Sequence, residues 1–206
     1  MEFSRARAWS LLNEYTQSGS LLKHALGVES CVRAYGEVAA GPLPEQEAAA
    51  LIETYSITAL LHDFDYERFP SLEDHPFVGV RILAEQGWPE QVRTAILGHA
   101  SYSGVPRTTH LAKALFACDE LSGFLTACAL VKPTRSIHDV ELAGVRKKMK
   151  DKAFAKGVHR EDIVQGALEL GVELDAHIEF CIDAMRRSAA ALGLDGASAS
   201  TSTPRP

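Results

Sequence analysis

Positive charge is in short supply in this chain: 21 Lys and Arg stand against 27 Asp and Glu among 206 residues, a formal net charge of -6. That balance lacks the diffuse positive field by which most nucleic-acid binders attract phosphate, so a nucleic-acid duplex is not an expected partner. Long apolar runs are missing as well. The run Ile57 to Leu61 falls far short of the roughly 20 residues that span a bilayer. Met1 to Trp9 carries Glu2, Arg5 and Arg7 where a secretory signal has its apolar stretch. The expectation is a cytoplasmic protein with no membrane partner. Cysteine is sparse too: Cys31, Cys118, Cys128 and Cys181 are widely separated, form no C-x-x-C pair and sit among apolar neighbours, which reads as buried reduced thiols rather than metal ligands.

Clean alternation of β-branched and polar residues is absent, and apolar residues instead recur at three and four, so the chain is expected to be all-α. The spacing predicts helices over 4–17, 20–39, 45–61, 75–86, 89–100, 108–130, 136–149, 160–170 and 173–191. Gly41-Pro42-Leu43-Pro44 and Gly87-Trp88-Pro89 separate neighbouring helices, Pro76 suits a first helical turn, and Ser20 and Ser136 are candidate N-caps. No repeat of 20 to 50 residues is present, which disfavours a solenoid. The division expected is one helical unit over 1–190 and a flexible polar tail over 191–206, most evident in the Ser, Thr, Ala and Pro of Gly196 to Pro206.

Function is sought among ionisable side chains on the inward stripes, where an unpaired polar group costs several kcal/mol. His24 shares a helix face with Leu21, Ala25, Val28 and Val32; His99 shares one with Val92, Ala95 and Ile96; Asp119 shares one with Ala112, Leu115 and Phe116. His75 opens a stripe of Val78, Gly79, Ile82 and Leu83, and His62-Asp63 ends the run from Ile57. Each alone reads as a hydrogen-bonded core or capping residue. His177, between Leu174 and Cys181, has the same pattern and is assigned no ligand role. The collection of four histidines and two aspartates carries the argument, because imidazole with carboxylate is the donor mixture of Zn, Fe, Mn or Ni rather than of Ca.

The order His24, His62-Asp63, His75, His99, Asp119 resembles the HD superfamily of metal-dependent phosphohydrolases, over about residues 20–130. His75-Pro76-Phe77-Val78-Gly79 is similar to the H-P-x-x-G of the HD-GYP branch, and Gly98-His99-Ala100 with Gly104-Val105-Pro106 stands where that branch has H-H and G-Y-P. Ala100 and Val105 depart from it, so cyclic-dinucleotide hydrolysis is not implied. The stretch Leu115 to Gly123 looks like that of small bacterial HD hydrolases of unassigned substrate.

The resemblance implies an HD-domain-like helical bundle in which His24, His62, Asp63 and Asp119 hold one divalent transition metal (Mn, Fe, Ni or Zn). Asp63, His75 and His99 hold a second, with Asp63 as the bridge. It implies metal-activated water attacking a small phosphate ester, such as a nucleotide. For substrate, Arg107 and Lys113 are the nearest cations in sequence, and Asp65 is a candidate proton acceptor or partner of a ligand. The basic run Arg146 to Lys152 reads as a solvated face, and Trp9, Trp88 and Tyr102 as packing residues rather than base-stacking ones. Two other functions fit the same residues: a di-iron oxygenase similar to myo-inositol oxygenase, and a metal-stabilised binding domain without turnover. Oligomeric state and the role of residues 131–190 are not legible.

Overall fold

Five of the first six α-helices start at a capping hydroxyl or directly after a proline. Residues 3–196 are described in the structure, a computed structural model, and they form ten α-helices with a single isolated bridge between Ser136 and Asp195. Helix α1 (Arg5–Tyr15) begins at Ser4, whose hydroxyl accepts the Arg7 amide at 3.3 Å. Pro44, Pro76 and Pro89 immediately precede α3 (Glu45–Leu61), α4 (Phe77–Glu85) and α5 (Glu90–His99). Thr109 caps α6 (His110–Leu130) by accepting the Ala112 amide. Helix α2 (Gly19–Ala40) follows Ser18; the expected cap Ser20 lies inside the helix, its hydroxyl 2.8 Å from that of Ser18.

The C-terminal part departs from expectation at three places, one being the helix predicted over 173–191, which divides at Ser188 into Leu174–Arg187 and Ala189–Leu192. The helix predicted over 136–149 divides because Ser136 is drawn into the bridge with Asp195, and the Ile137 amide donates to the Leu194 carbonyl at 2.8 Å. Ser136 therefore caps only a short 3-10 turn, Ile137–Asp139, before α7 (Leu142–Met149) starts. Residues 191–194, expected in the tail, belong to the fold instead: α10 (Ala189–Leu192) and Leu194 pack into the core, Leu192 and Leu194 being buried. The rest of that tail, 197–206, lies outside the described residues.

Two apolar cores organise the bundle. One gathers Ala8, Leu11 and Leu12 of α1 with Ile57, Leu60, Leu61, Phe64, Trp88, Val92 and Ile96. The other joins α2 and α6 to α8 (Arg160–Leu170), α9 (Leu174–Arg187) and α10. Helices α2, α3 and α5 contribute to both, so their polar inward residues fall near the boundary between the two cores. Burying each large side chain such as Trp88, Phe124 or Leu121 stabilises by roughly 1.5–3 kcal/mol. A close approach of α8 to α6 depends on Gly166, where a Cβ would stand 2.5 Å from the Ala117 Cα. Among the described residues no helix is long and apolar enough to cross a membrane.

Candidate metal centre and its cleft

The site begins with a capping device used twice. His62 follows the last residue of α3 and its Nδ1 donates to the Ala59 carbonyl at 2.7 Å; His99 ends α5 and its Nδ1 donates to the Ile96 carbonyl. Each imidazole thereby satisfies a carbonyl that the helix end leaves open. The same bond fixes the ring so that Nε2 is the remaining donor atom. His75, just before α4, is fixed by a carboxylate: its Nδ1 donates to Asp65 Oδ1 at 2.8 Å, and the Gly79 amide donates to Asp65 Oδ2 at 2.7 Å. A Cβ at Gly79 would stand 2.6 Å from the Asp65 carboxylate, so this approach requires glycine. The Tyr102 hydroxyl donates to the His75 carbonyl at 2.8 Å.

The Nε2 atoms converge on two carboxylates. His75 and His99 each place Nε2 3.2 Å from Asp63 Oδ1. The other oxygen, Asp63 Oδ2, lies 3.3 Å from His62 Nε2 and 3.7 Å from His24 Nε2. Those two rings also meet Asp119 Oδ1, at 3.4 Å and 3.1 Å. The result is two groups, His24–His62–Asp119 and Asp63–His75–His99, each with donor atoms close enough to hold a metal ion. Asp63 faces both. His24 comes from α2 and Asp119 from α6, so residues separated by nearly a hundred positions share one centre.

Electrostatics point the same way. Burial opposes the charge on Asp63, yet His62, His75 and His99 outweigh it and hold the carboxyl well below its usual range. Asp119 is likewise lowered by His62 and His24 against the effect of burial. Burial also works against a charged His75, but Asp63 and Asp65 prevail and push it up to about 9. Such a cluster attracts positive charge and can satisfy that demand with protons or with a cation.

A cleft of about 460 Å³ opens onto this centre, lined by His24, Asp63, His75, His99 and Asp119 together with Tyr66, Tyr102, Glu120, His159 and Asp162. Among the described residues, none that lines it is Lys or Arg. The two cations expected to meet substrate are elsewhere. Arg107 gives Nε and Nη2 to Glu169 at 2.7 and 2.8 Å and Nη1 to the Gly98 carbonyl at 2.8 Å, while its guanidinium stacks 3.7 Å from the Phe116 ring centre. Its donors are engaged in fastening α8 to the end of α5. Lys113 does not line the cleft either. Asp65 is 1% exposed with both oxygens engaged, which makes it a residue that positions His75 rather than a proton acceptor at the cleft.

Residues that sequence reasoning passed over occupy the opposite wall. Glu120, adjacent to Asp119, accepts the His159 amide at 3.2 Å, and burial with the neighbouring Asp119 charge pushes its carboxyl up to about 7. Gly157, His159 and Asp162 reach the cleft because α8 lies close on α6. Only the adjacency of Glu120 to Asp119 hinted at this wall. The basic run contributes nothing to the lining: Arg146 pairs with Asp175, and Lys148 lies over the Phe154 ring. Trp88 is buried in the core. Tyr102, in contrast, stands on the cleft wall. Comparisons of the chain with protein-family models, with curated proteins and with solved structures gave no match.

Proposed function

We propose that the chain is a metal-dependent phosphohydrolase of the HD type, acting on a small phosphate ester. The observation that carries this reading is the division of one carboxylate: Asp63 turns Oδ1 to His75 and His99, and Oδ2 to His62 and His24. The donor set fits divalent transition metals, because three of the four imidazoles have Nδ1 committed as a donor and present Nε2, beside two carboxylates. His24, His62, Asp63 and Asp119 would hold one ion, and Asp63, His75 and His99 a second. Bound there, such ions lower the pKa of water and neutralise phosphate oxygens.

The remaining work falls to the chain. With no Lys or Arg among the described residues of the cleft wall, bound cations would supply most of the charge that offsets phosphate, and activity is expected to depend on metal. Tyr66 and Tyr102 offer ring faces to the organic part of the ester, the Tyr102 hydroxyl being held by the His75 carbonyl. Glu120 and Asp162 line the cleft and belong to neither ligand group, and in this reading Glu120, half-buried on the wall, would hold a proton for the leaving oxygen. The test is phosphate release from a panel of nucleotides and simple esters by the metal-stripped chain, resupplied with Mn²⁺, Fe²⁺, Ni²⁺ or Zn²⁺. Turnover with at least one ion and none without metal is expected. Iron-dependent O₂ consumption with no phosphate released would instead establish the oxygenase reading.

A further inference from the structure

Cys118 precedes Asp119 on α6, and the rotation of about 100° per helical residue turns it onto a different face. There it meets Cys31 of α2 and both His177 and Cys181 of α9, all four fully buried. The donor atoms of Cys118, His177 and Cys181 lie within 4.8 Å of one another. Cys31 donates its thiol toward the Cys181 carbonyl at 3.8 Å. Hydrogen bonds with Cys118 and Cys181 hold the Cys31 thiol well below the usual thiol range, whereas burial pushes the Cys118 and Cys181 thiols well above it, so the three share their protons unequally.

The imidazole is what distinguishes this group from apolar packing. His177 donates from Nε2 to the Ala117 carbonyl at 2.9 Å, so the lone pair is on Nδ1. That atom is 3.7 Å from Cys181 Sγ and accepts the Tyr35 hydroxyl at 2.7 Å. Burial lowers the His177 pKa, which keeps the ring neutral and its lone pair available. In a tetrahedral site with metal–sulfur bonds of about 2.3 Å and metal–nitrogen bonds of about 2.0 Å, neighbouring donors stand roughly 3.5–3.8 Å apart. The Cys181–His177 edge already has that length.

We propose that Cys118, Cys181 and His177 Nδ1 form the core of a structural site for a thiophilic ion of the Zn²⁺ class, separate from the cleft, and that Cys31, outside that group of three and turned toward the Cys181 carbonyl, swings in as the fourth donor when the ion binds. All three cysteines would bind as thiolates, their protons passing to solvent as the ion enters, and with the neutral imidazole the filled site carries a net charge of about -1. Such a site ties α2, α6 and α9 together at one point. The ion competes with the Tyr35 hydroxyl for Nδ1, so removing that hydroxyl favours the metal.

The test is Co²⁺ titration of the full chain, reduced and metal-stripped, read by the near-ultraviolet thiolate-to-cobalt absorption. One equivalent is expected to develop the band and Zn²⁺ to abolish it. The Asp63→Ala variant keeps the band, Cys181→Ser loses it, and Tyr35→Phe binds more tightly than wild type. Because Cys181→Ser can fail to fold, the chain as purified is also titrated with a mercurial thiol reagent, with release of one zinc per chain expected. Absence of the thiolate band at any Co²⁺ concentration, or full reaction of the thiols with no zinc released, overturns the proposal. Fewer than four thiols titrating in denaturant without reductant overturns it too, since the sulfurs would then be paired as a disulfide.

Discussion

The cleft and the thiol cluster both place histidines on inward, apolar helix faces, and they differ in which ring nitrogen is committed. In the cleft, His62, His75 and His99 spend Nδ1 on a carbonyl or carboxylate and turn Nε2 toward Asp63. In the thiol cluster, His177 spends Nε2 on the Ala117 carbonyl and keeps Nδ1 for Tyr35 and Cys181. The surroundings differ in access as well, since His24, Asp63 and Asp119 border an open cleft whereas the three cysteines are sealed. A histidine on an apolar stripe therefore says little until the partner of its other nitrogen is known. One arrangement suits exchange with solvent and substrate, the other permanent bracing.

The sharpest way to break this contrast is to remove one histidine from each region. His62→Ala is expected to abolish phosphate release to background, while His177→Ala leaves turnover per folded molecule unchanged and lowers stability by about 2–4 kcal/mol through lost packing and orphaned buried partners. Assays paired with denaturant unfolding read both, and equal activity losses would erase the distinction. Next in size, Glu120→Gln is expected to lower kcat by about 10²-fold or more with metal content unchanged. Wild-type kcat in that variant would remove Glu120 from the chemistry.

Asp65→Asn is expected to weaken metal binding at the His75 group by about 10- to 100-fold, measured by calorimetric titration, because the carboxylate that orients the ring is gone. Protons enter here. His75 is raised to about 9, so at neutral pH its ring carries a proton that a metal must displace. Metal uptake should release protons and tighten as pH rises from 6 toward 9, and pH-independent affinity would contradict that. The smallest effect concerns Arg107. Glu169→Gln is expected to cost roughly 1–2 kcal/mol, between exposed and buried ion pairs, without altering KM. Arg107 lowers the Glu169 pKa, so the wild-type advantage is present above the unfolded carboxyl range near 4 and fades as pH falls through the lowered folded value.

What was legible in the sequence was periodicity and local order. Each of the nine predicted helices overlaps an observed one, with the segments over 136–149 and 173–191 divided, because apolar spacing and proline breaks act within a few residues. The adjacency of His62 and Asp63, and the stripes bearing His24, His99 and Asp119, brought forward residues that the fold does gather. Arg107 pairs with Glu169, 62 positions away on α8, and does not line the cleft, a placement that its nearness in sequence to Asp119 does not reveal. The wall of His159 and Asp162 was invisible for the same reason, resting on the packing of α8 against α6. The cysteines carry no spacing motif, since their meeting depends on three helices converging.

Mn²⁺ distinguishes the two regions chemically, since it prefers carboxylate and imidazole over thiolate. Its equilibrium uptake by the metal-stripped wild-type chain and by Asp63→Ala, measured side by side, tests the cleft alone. Saturable Mn²⁺ binding by wild type that is absent from Asp63→Ala is the expected result. Equal stoichiometry and affinity in the two would show that the divided carboxylate holds no metal.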